Sequence, residues 1–193
     1  QLGVRTKLTR ATDVSLSLEQ RTAIANEAGA DLFISIHTNA SANRKAFGIE
    51  TYYLDNTNDK SSLKLAEREN RSALTEQPDL QFIISDLIQN AKLEESIAFA
   101  HYVQDALVKH LSKKYSDIKS LGVKRAPFYV LVGAHMPCVL AEVSFIDHPR
   151  EGKRLVSREY QRDVAYGLYK AIEAYFERYG KKSNSFETKQ SIK

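Results

Sequence analysis

Two residues stand out by the company they keep: a histidine closing an apolar run and a glutamate inside one. Residues 31 to 41 read DLFISIHTNAS, so the strand-forming stretch Leu32 to Ile36 ends in His37 and passes at once to Thr38, Asn39 and Ser41. A core strand needs no such ending. Neutral imidazole is the commonest metal ligand, and ligands of open α/β sheets bind beyond the carboxyl ends of the strands. The competing reading is a histidine hydrogen-bonded into its local turn. Glu142 lies inside Val139-Leu140-Ala141-Glu142-Val143, a run that reads as a buried strand. Acidic side chains are almost never fully buried unless paired, because an isolated buried carboxylate is costly. A cation, a metal, protonation or an ion pair with one of the 28 Lys and Arg must compensate it.

The other candidates are weaker. Glu50, in Gly48-Ile49-Glu50-Thr51-Tyr52, alternates with apolar neighbours and is expected at the solvent or at a site rim. His110 shares a helical face with Val103 and Leu107 and reads as packing, whereas His101 lies on the opposite, solvated face. His135 and His148 stand in loops before Met136-Pro137 and Pro149. Cys138 opens an apolar strand with no histidine placed to activate it, so it reads as a small buried hydrophobe. There is no glycine-rich phosphate loop and no G-x-S-x-G nucleophile turn.

The elements that must position these residues follow from periodicity. Val4 to Leu8 alternates as a strand does. Ser17 with Gln20 three positions on forms a capping box for a helix that Gly29 ends. Leu32 to Ile36 and Phe47 to Leu54 read as strands, the first parallel to 4–8 through a right-handed crossover. Residues 61 to 76 are polar and helix-prone. Residues 80 to 91 and roughly 93 to 115 carry apolar helical faces, the second with Phe99, Val103, Leu107 and Leu111 at i, i+4. Strands are expected again at 128–132 and 138–145, and a last helix at about 158–178. The whole predicts one α/β domain, a twisted and mostly parallel sheet flanked by helices, with a helical insertion over about 55–95. Residues 180–193 read as a polar basic tail.

At 193 residues the chain has room for one domain with a real core. Its single cysteine excludes an intrachain disulfide. No apolar run approaches the ~20 residues of a membrane span. The net charge of +4 favours anionic partners in general, but Lys and Arg are scattered and no aromatic-basic stripe marks a nucleic-acid groove.

Assembled, these stretches resemble the zinc-dependent N-acetylmuramoyl-L-alanine amidases of bacterial cell walls, in the subgroup acting in daughter-cell separation. The resemblance is carried by Thr9-Arg10, Asp13, Leu18, Arg21 and Ala25-Asn26 leading into Ala30 to Ala40, by Gly48 to Leu54, and by Pro137 to Ile146 followed by Glu151. It spans residue 1 to about 178. It implies hydrolysis of the amide joining N-acetylmuramic acid to L-alanine in peptidoglycan, with Zn2+ as cofactor and a periplasmic or cell-envelope location. His37 would be a zinc ligand and Glu142 the proton-transferring catalytic residue, with Asn39 and Glu50 around the substrate.

The family's first zinc histidine and a zinc glutamate come from a segment that follows its first strand, which this sequence does not contain. The expectation is therefore a catalytic domain over 1–179, lacking its first strand and first metal-ligand segment, that alone binds zinc weakly or not at all. Leu65 to Asn70 and the helix after it resemble a plug that covers the active site until an activator protein displaces it, with Glu69, and after it Glu67, reaching the zinc position. Two alternatives stand beside this reading: a catalytically inactive peptidoglycan-binding or regulatory module of the same fold, and another zinc hydrolase of carboxypeptidase-like type.

Overall fold

The computed structural model describes residues 4–76 and 92–187. Helix α1 (Leu18–Glu27) starts as its sequence dictates: the Gln20 amide donates to Ser17 Oγ at 3.2 Å and the Ser17 amide to Gln20 Oε1 at 2.9 Å. Strand β1 (Phe33–Asn39) follows, then β2 (Ile49–Leu54), α2 (Lys60–Glu76), α3 (Leu93–Leu111), β3 (Ser120–Ala126), a short 3-10 turn (Tyr129–Leu131), β4 (Cys138–Phe145), α4 (Pro149–Leu155) and α5 (Arg158–Glu187). The four strands form one mixed sheet in the order β1-β4-β2-β3. Pairing is parallel for β1 with β4 and for β2 with β3, and antiparallel for β2 with β4.

The sheet is covered on both faces. Alternation along β4 sends Val139, Ala141 and Val143 to one side, where they meet Phe99, Val103 and Leu107 of α3 and Val164 and Leu168 of α5. The opposite side carries Cys138 and Leu140 together with Phe33, Tyr52 and Leu54. It is closed by Leu18 of α1, Leu65 and Ala66 of α2, and Tyr129 to Leu131 of the turn. Because both faces are packed, all eight residues of β4 are buried. At Gly48, with φ +122°, a Cβ would stand 2.5 Å from the Lys119 carbonyl oxygen, so only glycine lets β2 begin there.

Three expectations change. Val4 to Leu8 is irregular and exposed, not a strand, so the partner of β1 is β4 and the expected N-terminal strand–helix–strand unit is not formed among the described residues. Residues 128–132 are not a strand either. They form the buried 3-10 turn, and the strand of that region is β3, over residues whose charge hid it. Helix α5 runs past residue 178 to Glu187, into the stretch read as a tail. The apolar face expected over 80–91 lies outside the described residues.

Candidate metal centre

One face of the sheet changes character along three strands at once. On β1 it runs Phe33, Ser35, His37; on β4 it runs Cys138, Leu140, Glu142; on β2, which points the other way, it runs Leu54, Tyr52, Glu50. The polar ends coincide. His37 pairs in register with Glu142, and Glu142 with Glu50, so these three side chains stand side by side at the carboxyl ends of the parallel β1 and β4. Helix α2 crosses above and brings Glu69 down onto them: His37 Nδ1 lies 2.9 Å from Glu69 Oε2. Ligand atoms of His37, Glu69 and Glu142 all fall within 4.8 Å of one another.

Each group has its own electrostatic setting. Glu142 is fully buried, and neither carboxylate oxygen has a hydrogen-bond partner among the described residues. Burial first, then the nearby Glu69 and Glu50 charges against the pull of Arg68, push its carboxyl up to about 8. Glu69 moves the other way. The hydrogen bond with His37 holds it below the usual carboxylate range, and Arg68 adds to this against the effect of burial. Glu50, 3% exposed, is satisfied instead by three donors: Asn39 Nδ2 at 2.7 Å, the Tyr52 hydroxyl at 2.9 Å and Lys124 Nζ at 2.6 Å. Of its two expected places, solvent is the one the burial excludes, and Glu50 stands beside Glu142 instead. Asn39 is buried too, and its Oδ1 accepts from the Ala40 amide at 2.7 Å and from Arg68 Nη2 at 3.3 Å.

Three successive residues seat α2. Arg68 also donates to the Ala40 carbonyl at 3.1 Å and to Glu69 Oε1 at 3.1 Å. Asn70 donates to the Pro127 carbonyl at 2.8 Å and accepts from the Tyr129 amide at 2.9 Å. Glu67 is exposed on the same helix, away from this contact. The remaining candidates lie elsewhere: His110 packs on Tyr166 near Asp163, His148 caps α4, and the Cys138 thiol is pushed up to about 12 by burial. Ser35, 3.0 Å from His37 Nε2, escaped the sequence reading, although its place two residues before His37 on a strand puts it on the same face.

An imidazole and two carboxylates converging on one point are a donor set for a divalent transition metal. The orphaned oxygens of Glu142 fit this, because a cation there supplies the compensation that the protein does not.

A model of the N-acetylmuramoyl-L-alanine amidase family matches residues 1–174. The chain belongs to that family. The N-acetylmuramoyl-L-alanine amidase AmiA of Escherichia coli K12 is 32% identical over 186 residues, covering 90% of this chain and 62% of AmiA, so the chain spans under two thirds of that relative's length. The solved amidase AmiC2 of Nostoc punctiforme superposes with a TM-score of 0.64 at 26% identity, over 91% of this chain and 74% of that one. The CwlD amidase of Clostridioides difficile, solved in complex with the GerS lipoprotein, shares the fold with a TM-score of 0.61 at 22% identity, over 89% and 75%. Among the described residues of this family member, no helix is long and apolar enough to cross a membrane.

Proposed function

We propose that this domain hydrolyses the amide bond between N-acetylmuramic acid and L-alanine in peptidoglycan, with a zinc ion held at His37 and with Glu142 moving the proton. One observation carries the reading: a fully buried glutamate, without a hydrogen-bond partner among the described residues, stands in register beside a histidine on the adjacent strand, in a chain of this family. Zinc, when bound, polarises the scissile carbonyl and makes water a competent nucleophile near neutral pH. His37 holds the ion, and Glu69 occupies a neighbouring donor position in the resting state. Glu142 takes a proton from the attacking water and passes it to the leaving L-alanine nitrogen, so that the amine departs neutral. Burial raises the Glu142 carboxyl, and a cation bound beside it would favour the ionised form. Glu50 and Asn39, locked by Lys124, Tyr52 and Arg68, shape the wall of the site beside it.

Glu69 makes the seated α2 an autoinhibitory element, since the carboxylate takes a place that substrate needs. An activator protein that draws α2 away would open the site. That an amidase of this fold was solved with a lipoprotein partner supports a partner of this kind. Action on peptidoglycan places the protein outside the cytoplasm, in the periplasm or cell envelope, and the likeness of Leu65 to Asn70 to the plug segment points to daughter-cell separation.

The test is zinc content together with dye release from labelled peptidoglycan, for the parent chain, Glu142→Gln and Glu69→Ala. Zinc in the parent, dye release raised by Glu69→Ala and loss of release in Glu142→Gln are expected. Released stem peptides should be intact and carry a free L-alanine amine; trimmed peptides would instead mark a carboxypeptidase-like enzyme. No zinc and no release, with the chain still sedimenting with peptidoglycan, would make it a binding module.

A further inference from the structure

His37 offers two nitrogens, and the structure gives each a different neighbour. Nδ1 faces Glu69 Oε2 at 2.9 Å, and Nε2 lies 3.0 Å from Ser35 Oγ. Ser35 is buried, and His37 is the only hydrogen-bond partner of its hydroxyl among the described residues. A neutral imidazole carries one N–H, so a ring that gives Nδ1 to a cation must keep its proton on Nε2. That proton needs an acceptor, and among the described residues the buried Ser35 Oγ is the one within reach.

We infer that Ser35 is a positioning residue that makes His37 an Nδ1 ligand by accepting a hydrogen bond from its Nε2–H. The inference rests on the proposed metal role of His37. Its physical basis is the separation of the two contacts. Glu69 belongs to α2, an element fastened by side chains, whereas Ser35 sits on the same strand as the histidine. When α2 is lifted, the Glu69 contact goes and the Ser35 contact stays. Ser35 then holds the ring plane and tautomer, so the site keeps its geometry in the open state. Without it the ring is free to turn about Cβ–Cγ or to move its proton to Nδ1, and either change withdraws the ligand. Groups that orient a metal-binding histidine in this way are worth about 10- to 100-fold in metal affinity.

The experiment is competition for zinc chloride between the 193-residue chain and a chromophoric chelator, for the parent, Ser35→Ala and Ser35→Thr, each with and without Glu69→Ala. Ser35→Ala should bind zinc about tenfold more weakly. Ser35→Thr, which keeps the hydroxyl, should restore binding, and the loss from Ser35→Ala should be larger in the Glu69→Ala background. Side-chain nitrogen NMR of the zinc-loaded parent should show His37 metallated at Nδ1 and protonated at Nε2, a readout that needs no variant to fold. Zinc on Nε2, or Ser35→Ala within twofold of the parent, overturns the role of Ser35 while leaving the metal centre standing. No zinc uptake by the parent overturns the metal role of His37 and this inference with it.

Discussion

Two buried glutamates flank the end of β4, and their surroundings are opposites. Glu151, on α4, accepts the Gly48 amide at 3.0 Å and the Phe145 amide at 2.7 Å, so its carboxylate ties the start of β2 to the end of β4. Glu142, on β4 itself, accepts nothing among the described residues. Burial raises both carboxyls, but at Glu151 the two amide hydrogen bonds act against it. The contrast separates architecture from chemistry. A buried charge with its hydrogen bonds filled closes a corner of the fold, whereas one left empty is held ready for something that arrives from outside.

Substitutions can break or sharpen this contrast, and the largest effect belongs to Glu142→Gln. It should lower peptidoglycan dye release by about 10²–10⁴-fold, yet leave the metal-free chain at least as stable by thermal melting, since it removes an uncompensated carboxyl. A marked loss of stability would put Glu142 in the same class as Glu151. Glu151→Ala should do the reverse. It strands two buried amides and should cost about 2–4 kcal/mol in urea unfolding, with little change in turnover per folded molecule. Glu69→Ala, which releases the contact to His37, should raise basal turnover about fivefold or more, the lower end of ordinary coupling between a regulatory element and a site.

The smallest effect concerns another buried carboxylate, Asp163, which is satisfied by charge. Asp163 accepts from Lys114 Nζ at 2.6 Å and from the Tyr115 hydroxyl at 2.8 Å, and the Lys114 hydrogen bond holds its carboxyl below the usual range. A folded-state value below the unfolded one contributes stability above pH ~4 that is lost as pH falls through the depressed value. Asp163→Asn should therefore lower the free energy of urea unfolding at pH 6 by about 1 kcal/mol, and by less at pH 3.

The site was legible in the sequence wherever a residue broke its own local pattern. His37 ended an apolar strand and Glu142 interrupted one, and both now stand in register on neighbouring strands. The capping box at Ser17 was equally plain, because all its parts lie within four residues. What stayed hidden depends on contacts distant in sequence. Strand β3 reads SLGVKRA, which no apolar alternation marks; Lys124 and Arg125 pair with Glu50 on the neighbouring β2 and with Asp55 just beyond its end. Conversely, FYVLV at 128–132 is apolar because it is buried under α1 and α2, a demand that a 3-10 turn meets as well as a strand does. Val4 to Leu8 alternates but pairs with no strand among the described residues, and alternation alone does not make a sheet. The burial of Glu50 was hidden because two of its three donors come from positions 39 and 124.

The register of β1 against β4 also sets an order of events in folding. The candidate ligands at 37, 69 and 142 come from three distant parts of the chain, and His37 meets Glu142 only by closing a loop of about a hundred residues. Such a contact is slow to form and cannot exist on a nascent chain until β4 has been made. Because α2 precedes β4, the helix carrying Glu69 is synthesised before Glu142, so under the proposed autoinhibition the site would be covered from the moment it is assembled.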